Sequence, residues 1–119
     1  MPPTPDSTAW SAVPEERMNE HVTRRVLHTA NLTVGYITLA RGSHVGRHEH
    51  EAEQVCLIQQ GRLRFNFDSH SAEIGPGEFL SIPSRLPHSV DALEDSIAID
   101  VFAPRREDWI RGDDAYLRK

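Results

Sequence analysis

No second cysteine accompanies Cys56, so the chain cannot close a disulfide on itself. A reducing compartment, the cytoplasm, is the expected home of such a protein. No apolar run approaches the roughly 20 residues that a bilayer crossing requires, which excludes a spanning helix. The opening residues MPPTPDSTAW lack the basic and apolar regions of a secretory leader. Positive charge is also in short supply. Thirteen Lys and Arg against eighteen Asp and Glu give a net charge of −5, so the basic footprint of a nucleic-acid surface is missing. The 119 residues suffice for one domain with a buried core and do not suffice for two. No internal repeat interrupts that reading.

Prolines crowd the first stretch, and residues 1–14 are expected to form an extended or disordered arm, leaving 15–119 as the folded domain. Trp10 is the exception there, expected either on a partner surface or simply exposed. Beyond it, short β-branched and alternating runs predict strands over 22–28, 32–40, 55–58, 63–67, 78–82, 88–90 and 97–102. Thr29, Ala30 and Asn31 form a turn between the first two, and Gly42, Gly46, Gly61, Gly75-Pro76-Gly77 and Pro83 punctuate the rest. Many short strands with Gly and Pro turns predict an all-β sandwich or barrel. Helical character is expected only around 14–19 and 105–117.

Two runs speak about faces. Val55-Cys56-Leu57-Ile58 is apolar at both parities, so this strand is expected to be covered on both sides. A barrel this small cannot cover its own outside, which makes a homodimer the economical expectation. In Ile97 to Phe102 the aliphatic residues fall on one face, and Ala98, Asp100 and Phe102 share the other. An acid between a small residue and an aromatic suits a cavity wall.

The chemistry-bearing residues sit in two segments. Gly42 to Gly61 carries His48, His50 and Gln54, and Gly77 to His88 ends in a further histidine behind two prolines. On a strand alternate side chains share a face, so His48 and His50 can aim at one spot. Neutral imidazole is the commonest protein ligand for divalent transition metals. Three imidazoles and an amide oxygen converging in a barrel would hold a single metal ion. His21, His28 and His70 lack such companions and read as surface residues. His44 shares the parity of His48 and His50 and suits a pocket rim, although Gly46 can break that register.

The spacing Gly42-x5-His48-x-His50-x3-Gln54-x6-Gly61, with Gly77-x5-Pro83-x4-His88, resembles the two-part signature of the cupin superfamily over about residues 20–104. The resemblance implies a single-domain cupin, a jelly-roll β-barrel, whose metal ligands are His48, His50, Gln54 and His88. The ion would be one divalent metal: nickel, zinc, manganese or iron. Gly61 would serve the turn between strands, and Gly77 and Pro83 would frame the second motif. Arg85 stands where many cupins have Gly or Asn, so a different local turn is expected. Gln54 replaces the usual glutamate and withholds its negative charge, which favours Lewis-acid chemistry over oxidation.

The ending Asp100-Val101-Phe102-Ala103-Pro104-Arg105-Arg106 resembles that of pectin-degradation cupins of the KdgF type, which convert 4,5-unsaturated monouronates into linear keto-uronates. That resemblance implies a catalytic Asp100, a substrate-side Phe102 and an Arg106 that pairs with the carboxylate of a small carboxylated substrate. Cys56 departs from the polar residue this type carries two positions after the metal glutamine. The expected function is therefore a metal-dependent, non-redox ring opening or isomerisation of an unsaturated uronate or similar carboxylated sugar. The alternatives are a non-enzymatic sugar-binding cupin and a metal-dependent dioxygenase. No nucleic acid or membrane partner is expected.

Overall fold

A computed structural model describes residues 3–119; the first two residues of the expected arm lie outside the described residues. The strands are β1 (Glu16–Arg17), β2 (Val22–His28), β3 (Thr33–Leu39), β4 (His44–His48) and β5 (Glu53–Gln60), then β6 (Leu63–Asn66), β7 (Ser71–Ile74), β8 (Phe79–Ile82), β9 (His88–Ala92) and β10 (Ser96–Ala103). They form a six-stranded sheet in the order β1-β2-β3-β10-β5-β8 and a four-stranded sheet in the order β4-β9-β6-β7. Every pairing is antiparallel. Two sheets facing each other with such crossovers make the jelly roll.

Alternation drives the closure. Along β3 the residues Thr33, Ile37 and Leu39 point inward, along β6 Leu63 and Phe65, and along β9 His88, Val90 and Ala92. Burial of Leu63 and Phe65, each 2% exposed, stabilises the barrel by about 1.5–3 kcal/mol apiece. Gly61 turns β5 into β6 at φ +85°, and a Cβ there would stand 2.3 Å from the Asp95 carbonyl oxygen, so no other residue fits without displacing backbone.

The structure corrects several expectations. Residues 14–19 are not helical: Glu16–Arg17 pairs with β2, because its backbone groups find partners along that strand. Strand β7 (Ser71-Ala72-Glu73-Ile74) was not foreseen, its alternation being too short and its apolar residues too few to stand out. Trp10 lies in a 3-10 turn, Trp10–Ala12, and its ring packs on Tyr36 of the same chain, 5.6 Å between centroids. Arg25 fastens this turn by donating to the Trp10 and Val13 carbonyls.

Near the C-terminus, α1 (Glu107–Arg111) and a 3-10 turn (Ala115–Leu117) match the helical expectation. Strand β5 turns Cys56 and Ile58 into the core and Val55 and Leu57 outward. Leu57 is 40% exposed and Phe79, its partner on β8, 69% exposed, so this chain alone leaves that outer face uncovered. No helix among the described residues is long and apolar enough to cross a membrane.

Candidate metal centre

Strand pairing brings the two histidine segments together. His48 ends β4 and is the register partner of His88, which begins β9, so their side chains share the inner face. His50 is not on the strand as expected; β4 stops at His48, and His50 lies in the turn beyond, where the chain bends back into the cavity. One ligand atom from each of His48, His50 and His88 lies within 4.8 Å of the others. His88 is 1% exposed and His50 6%, while His48 is half-buried.

Each ring is held by a carbonyl two residues away. The Nδ1–H of His48 donates to Gly46 at 2.7 Å, that of His50 to Ala52 at 2.7 Å, and that of His88 to Leu86 at 2.8 Å. A carbonyl only accepts, so these bonds fix the proton on Nδ1 and leave the Nε2 lone pair free to ligate. Burial keeps the rings neutral. It lowers His48 and His50 to about 4, with neighbouring imidazoles and Arg106 acting in the same direction, and it lowers His88 as well.

The amide completes the set. Gln54 Nε2 donates to Asp100 Oδ1 at 3.0 Å, which turns its Oε1 toward His50 Nε2, 3.1 Å away. Two lone pairs then face each other at hydrogen-bond distance, an arrangement that a cation between them reconciles. Three neutral imidazoles and an amide oxygen therefore fit a divalent ion of intermediate softness. The pairing of Gln54 with Asp100 also gives a local reason for the amide. A glutamate at this position would set two carboxylates about 3 Å apart.

Asp100 comes from β10, diagonal to Gln54 and directly opposite Cys56 on β5. Burial pushes its carboxyl upward, against the Cys56 thiol, the Gln54 amide and the Arg106 charge, which pull it down. The same burial, with Asp100 beside it, raises the Cys56 thiol well above its ordinary range. Ala98, Asp100 and Phe102 all line one interior cavity together with His48, Gln54 and His88.

Arg106, expected to pair with a substrate carboxylate, already has partners within the chain. Its Nε and Nη2 donate to Asp108 at 3.0 and 2.8 Å, and Nη2 also reaches the Tyr116 hydroxyl at 2.6 Å. The guanidinium lies 4.7 Å from the centre of Phe102 and 4.5 Å from that of Trp109, between the two rings. Although burial opposes its charge, Asp108 and Tyr116 hold it above its ordinary value. Only Nη1 lacks a hydrogen-bond partner among the described residues.

Arg85 keeps the turn that Gly or Asn would make, with φ +67°, instead of changing it. Its amide donates to the His50 carbonyl at 2.8 Å, so the turn steadies the loop that carries His50. His44 does not reach the cavity. It is exposed on the outer face, where its Nδ1 meets Asp91 at 2.6 Å. Trp109 and Tyr116 border the cavity and were not foreseen, although two aromatics in the charged tail 105–117 carried a signal.

A jelly-roll barrel with histidines converging from its two strand-end segments defines a class of small metal-cavity proteins. The chain belongs to the Cupin domain family, whose pattern matches residues 35–102. It is similar to KdgF from Halomonas sp., with 28% identity and a TM-score of 0.75 over 81% of this chain and 92% of that one. An RmlC-like cupin from Shewanella frigidimarina superposes with a TM-score of 0.81 at 22% identity, covering 89% of this chain and 96% of the other. Oxalate decarboxylase from Bacillus subtilis, described with Mn(II) centres, shares the fold at 22% identity and a TM-score of 0.73, over 82% of this chain and 29% of its own. Among curated proteins no sequence matches the chain.

Proposed function

We propose that the chain is a metal-dependent cupin that opens the ring of an unsaturated uronate, or a closely related carboxylated sugar, without redox chemistry. The observation that supports this most is the contact from His50 through Gln54 to Asp100, which sets a titratable acid beside the imidazole cluster. The likeness to KdgF from Halomonas sp. points to the same chemistry.

His48, His50, Gln54 and His88 would hold one divalent ion. When bound, it would polarise a substrate oxygen as a Lewis acid. Asp100 takes the proton from the anomeric hydroxyl as the ring C–O bond breaks and returns it toward the ring oxygen, giving an enol that tautomerises to the keto acid. Atoms balance, and no oxidant is consumed. Gln54 orients the carboxyl of Asp100, and positioned acid–base catalysis of this kind contributes about 10²–10⁴-fold. Arg106 would offer Nη1 to the substrate carboxylate, its other nitrogens being fixed by Asp108 and Tyr116.

A second copy of the chain is proposed to cover the outer face of the larger sheet, where Phe79, Leu57, Ile99 and Tyr36 follow one another across paired strands. A cytoplasmic location completes the reading.

The test is a time course of the metal-loaded protein with 4,5-unsaturated galacturonate and related uronates. Loss of the ultraviolet absorbance of the ring double bond, faster than the uncatalysed rate, is the expected result. No acceleration with any of them would favour a non-catalytic binding module.

A further inference from the structure

The inner cavity measures about 60 Å³, room for a few water molecules, whereas small-molecule sites run to about 300 Å³ or more. What narrows it is the end of the chain. Tyr116 stacks on the metal-side ring of His48, 4.3 Å between centroids at an interplanar angle of 24°, and Leu117 lines the cavity beside it. Neither residue belongs to a strand of the barrel, and the segment that carries them is attached by a few definable contacts.

Those contacts separate into a pivot and a latch. Helix α1 ends at Gly112, which has φ +83° with nothing within 4 Å of where a Cβ would be, a backbone state that favours glycine. Before it, Trp109 is wedged between Arg24 and Arg106, 4.6 and 4.5 Å from its ring centre, and this holds α1 to the barrel. After it, Asp114 is 1% exposed and takes hydrogen bonds from Arg24 at 2.5 Å and Arg118 at 3.0 Å. Asn19 donates to the carbonyls of Leu117 and Lys119 at 3.3 and 3.1 Å. The Tyr116 hydroxyl accepts from Arg106 and Trp109. Beside the packing of the half-buried Tyr116 and Leu117 against the core, the segment is thus held by a small set of polar contacts, the kind that opens locally without loss of the strands.

We propose that residues 113–117 form a gate over the histidine cluster, pivoting at Gly112 and latched through Asp114, and that Tyr116 sets the size of ligand that reaches the cluster. With the gate shut, only water or an ion of a few atoms fits. A sugar acid is admitted when Tyr116 lifts from His48, and the same movement frees one N–H of Arg106 Nη2 for an incoming carboxylate while the other stays on Asp108. The size limit stands on the cavity, and its use for a sugar acid rests on the function proposed above.

Carbethoxylation of histidines in the metal-free, full-length protein, read peptide by peptide by mass spectrometry, tests the gate with neither metal nor substrate. His21 and His70, both exposed, serve as internal references. Tyr116→Ala should raise the modification rates of His48 and His88 at least tenfold relative to those references, while Tyr116→Phe, which keeps the ring, should leave them within twofold. Asp114→Asn should raise them severalfold, with hydrogen exchange quickening in 113–117 and unchanged in β5 and β10. Unchanged rates in Tyr116→Ala would overturn the gate. So would equal rises in the Ala and Phe variants, or faster exchange spread over the core strands. Absence of uronate turnover alongside the expected modification pattern would remove the substrate and leave the gate standing.

Discussion

The two walls of the cavity are built on different scales of the chain. On the histidine wall, each ring is fixed by a carbonyl only two residues away, Gly46, Ala52 or Leu86. On the opposite wall, Gln54 and Asp100 are 46 residues apart and meet only because β5 and β10 pair in one register. The first wall is a set of local devices that present neutral lone pairs. The second is a product of sheet topology and places an acid at a fixed distance from them. Under the function proposed above, metal binding and proton transfer would be separable, and substitutions should separate them.

The largest effect belongs to the histidine wall. His88→Ala removes a ring that is 1% exposed from the centre of the cluster. Metal affinity should fall by at least about 100-fold, more than loss of an outer-shell partner usually costs, as measured by competition with a chromophoric chelator. Turnover should vanish with the metal.

Gln54→Glu then tests how the walls meet. It places a second carboxylate against Asp100 where the amide now donates at 3.0 Å. One of the two acids must keep a proton to higher pH, so the acidic limb of the pH–rate profile should move up by about one unit or more. An unmoved limb would dissociate Asp100 from Gln54.

The metal-free protein should also report its neutral histidines through stability. His48 and His50 ionise at about 4 in the fold against 6.5 in the open chain, so between those values the unfolded state binds more protons. Their stabilising contribution is full above pH 6.5 and is lost as pH falls toward 4. Denaturant melts at pH 7 and pH 5 should differ by about 1–2 kcal/mol for each ring. Equal stability at the two values would mean that the rings ionise in the fold as they do in the open chain, and that burial does not hold them neutral.

The smallest effect is at the turn behind His50. Arg85→Gly relieves a side chain held at φ +67° and should stabilise the protein by about 1 kcal/mol, seen as a higher denaturation midpoint, with metal affinity unchanged. Destabilisation would mean that the arginine side chain has a task of its own.

The same contrast explains what was legible in the sequence. The cluster of His48, His50 and His88 was legible through the family-like spacing of two short segments, because rings fixed by local turns leave a local pattern; Gln54 followed only from the same resemblance. Asp100 could be set on a cavity wall from strand parity, but not opposite Gln54, since cross-strand register is absent from any short window. The partners of Arg106 within the chain were not foreseen for a related reason. Asp108 lies two residues away and saturates most of the guanidinium, yet proximity in sequence does not say which of several nearby acids will turn inward. Tyr116 escaped notice because it reaches His48 only after the chain has crossed both sheets and capped the barrel. Strand β7 was missed since Ser71 and Glu73 face water and only Ile74 is buried.

The account stands or falls on the independence of the two walls, and Asp100→Asn measured for both metal content and turnover tests it most directly. The carboxylate is lost, but the shape is kept and all four proposed ligands remain. The protein should retain one divalent ion per chain while ring opening of an unsaturated uronate falls by about 100-fold or more. Loss of the ion together with activity, or full turnover without the carboxylate, would contradict it.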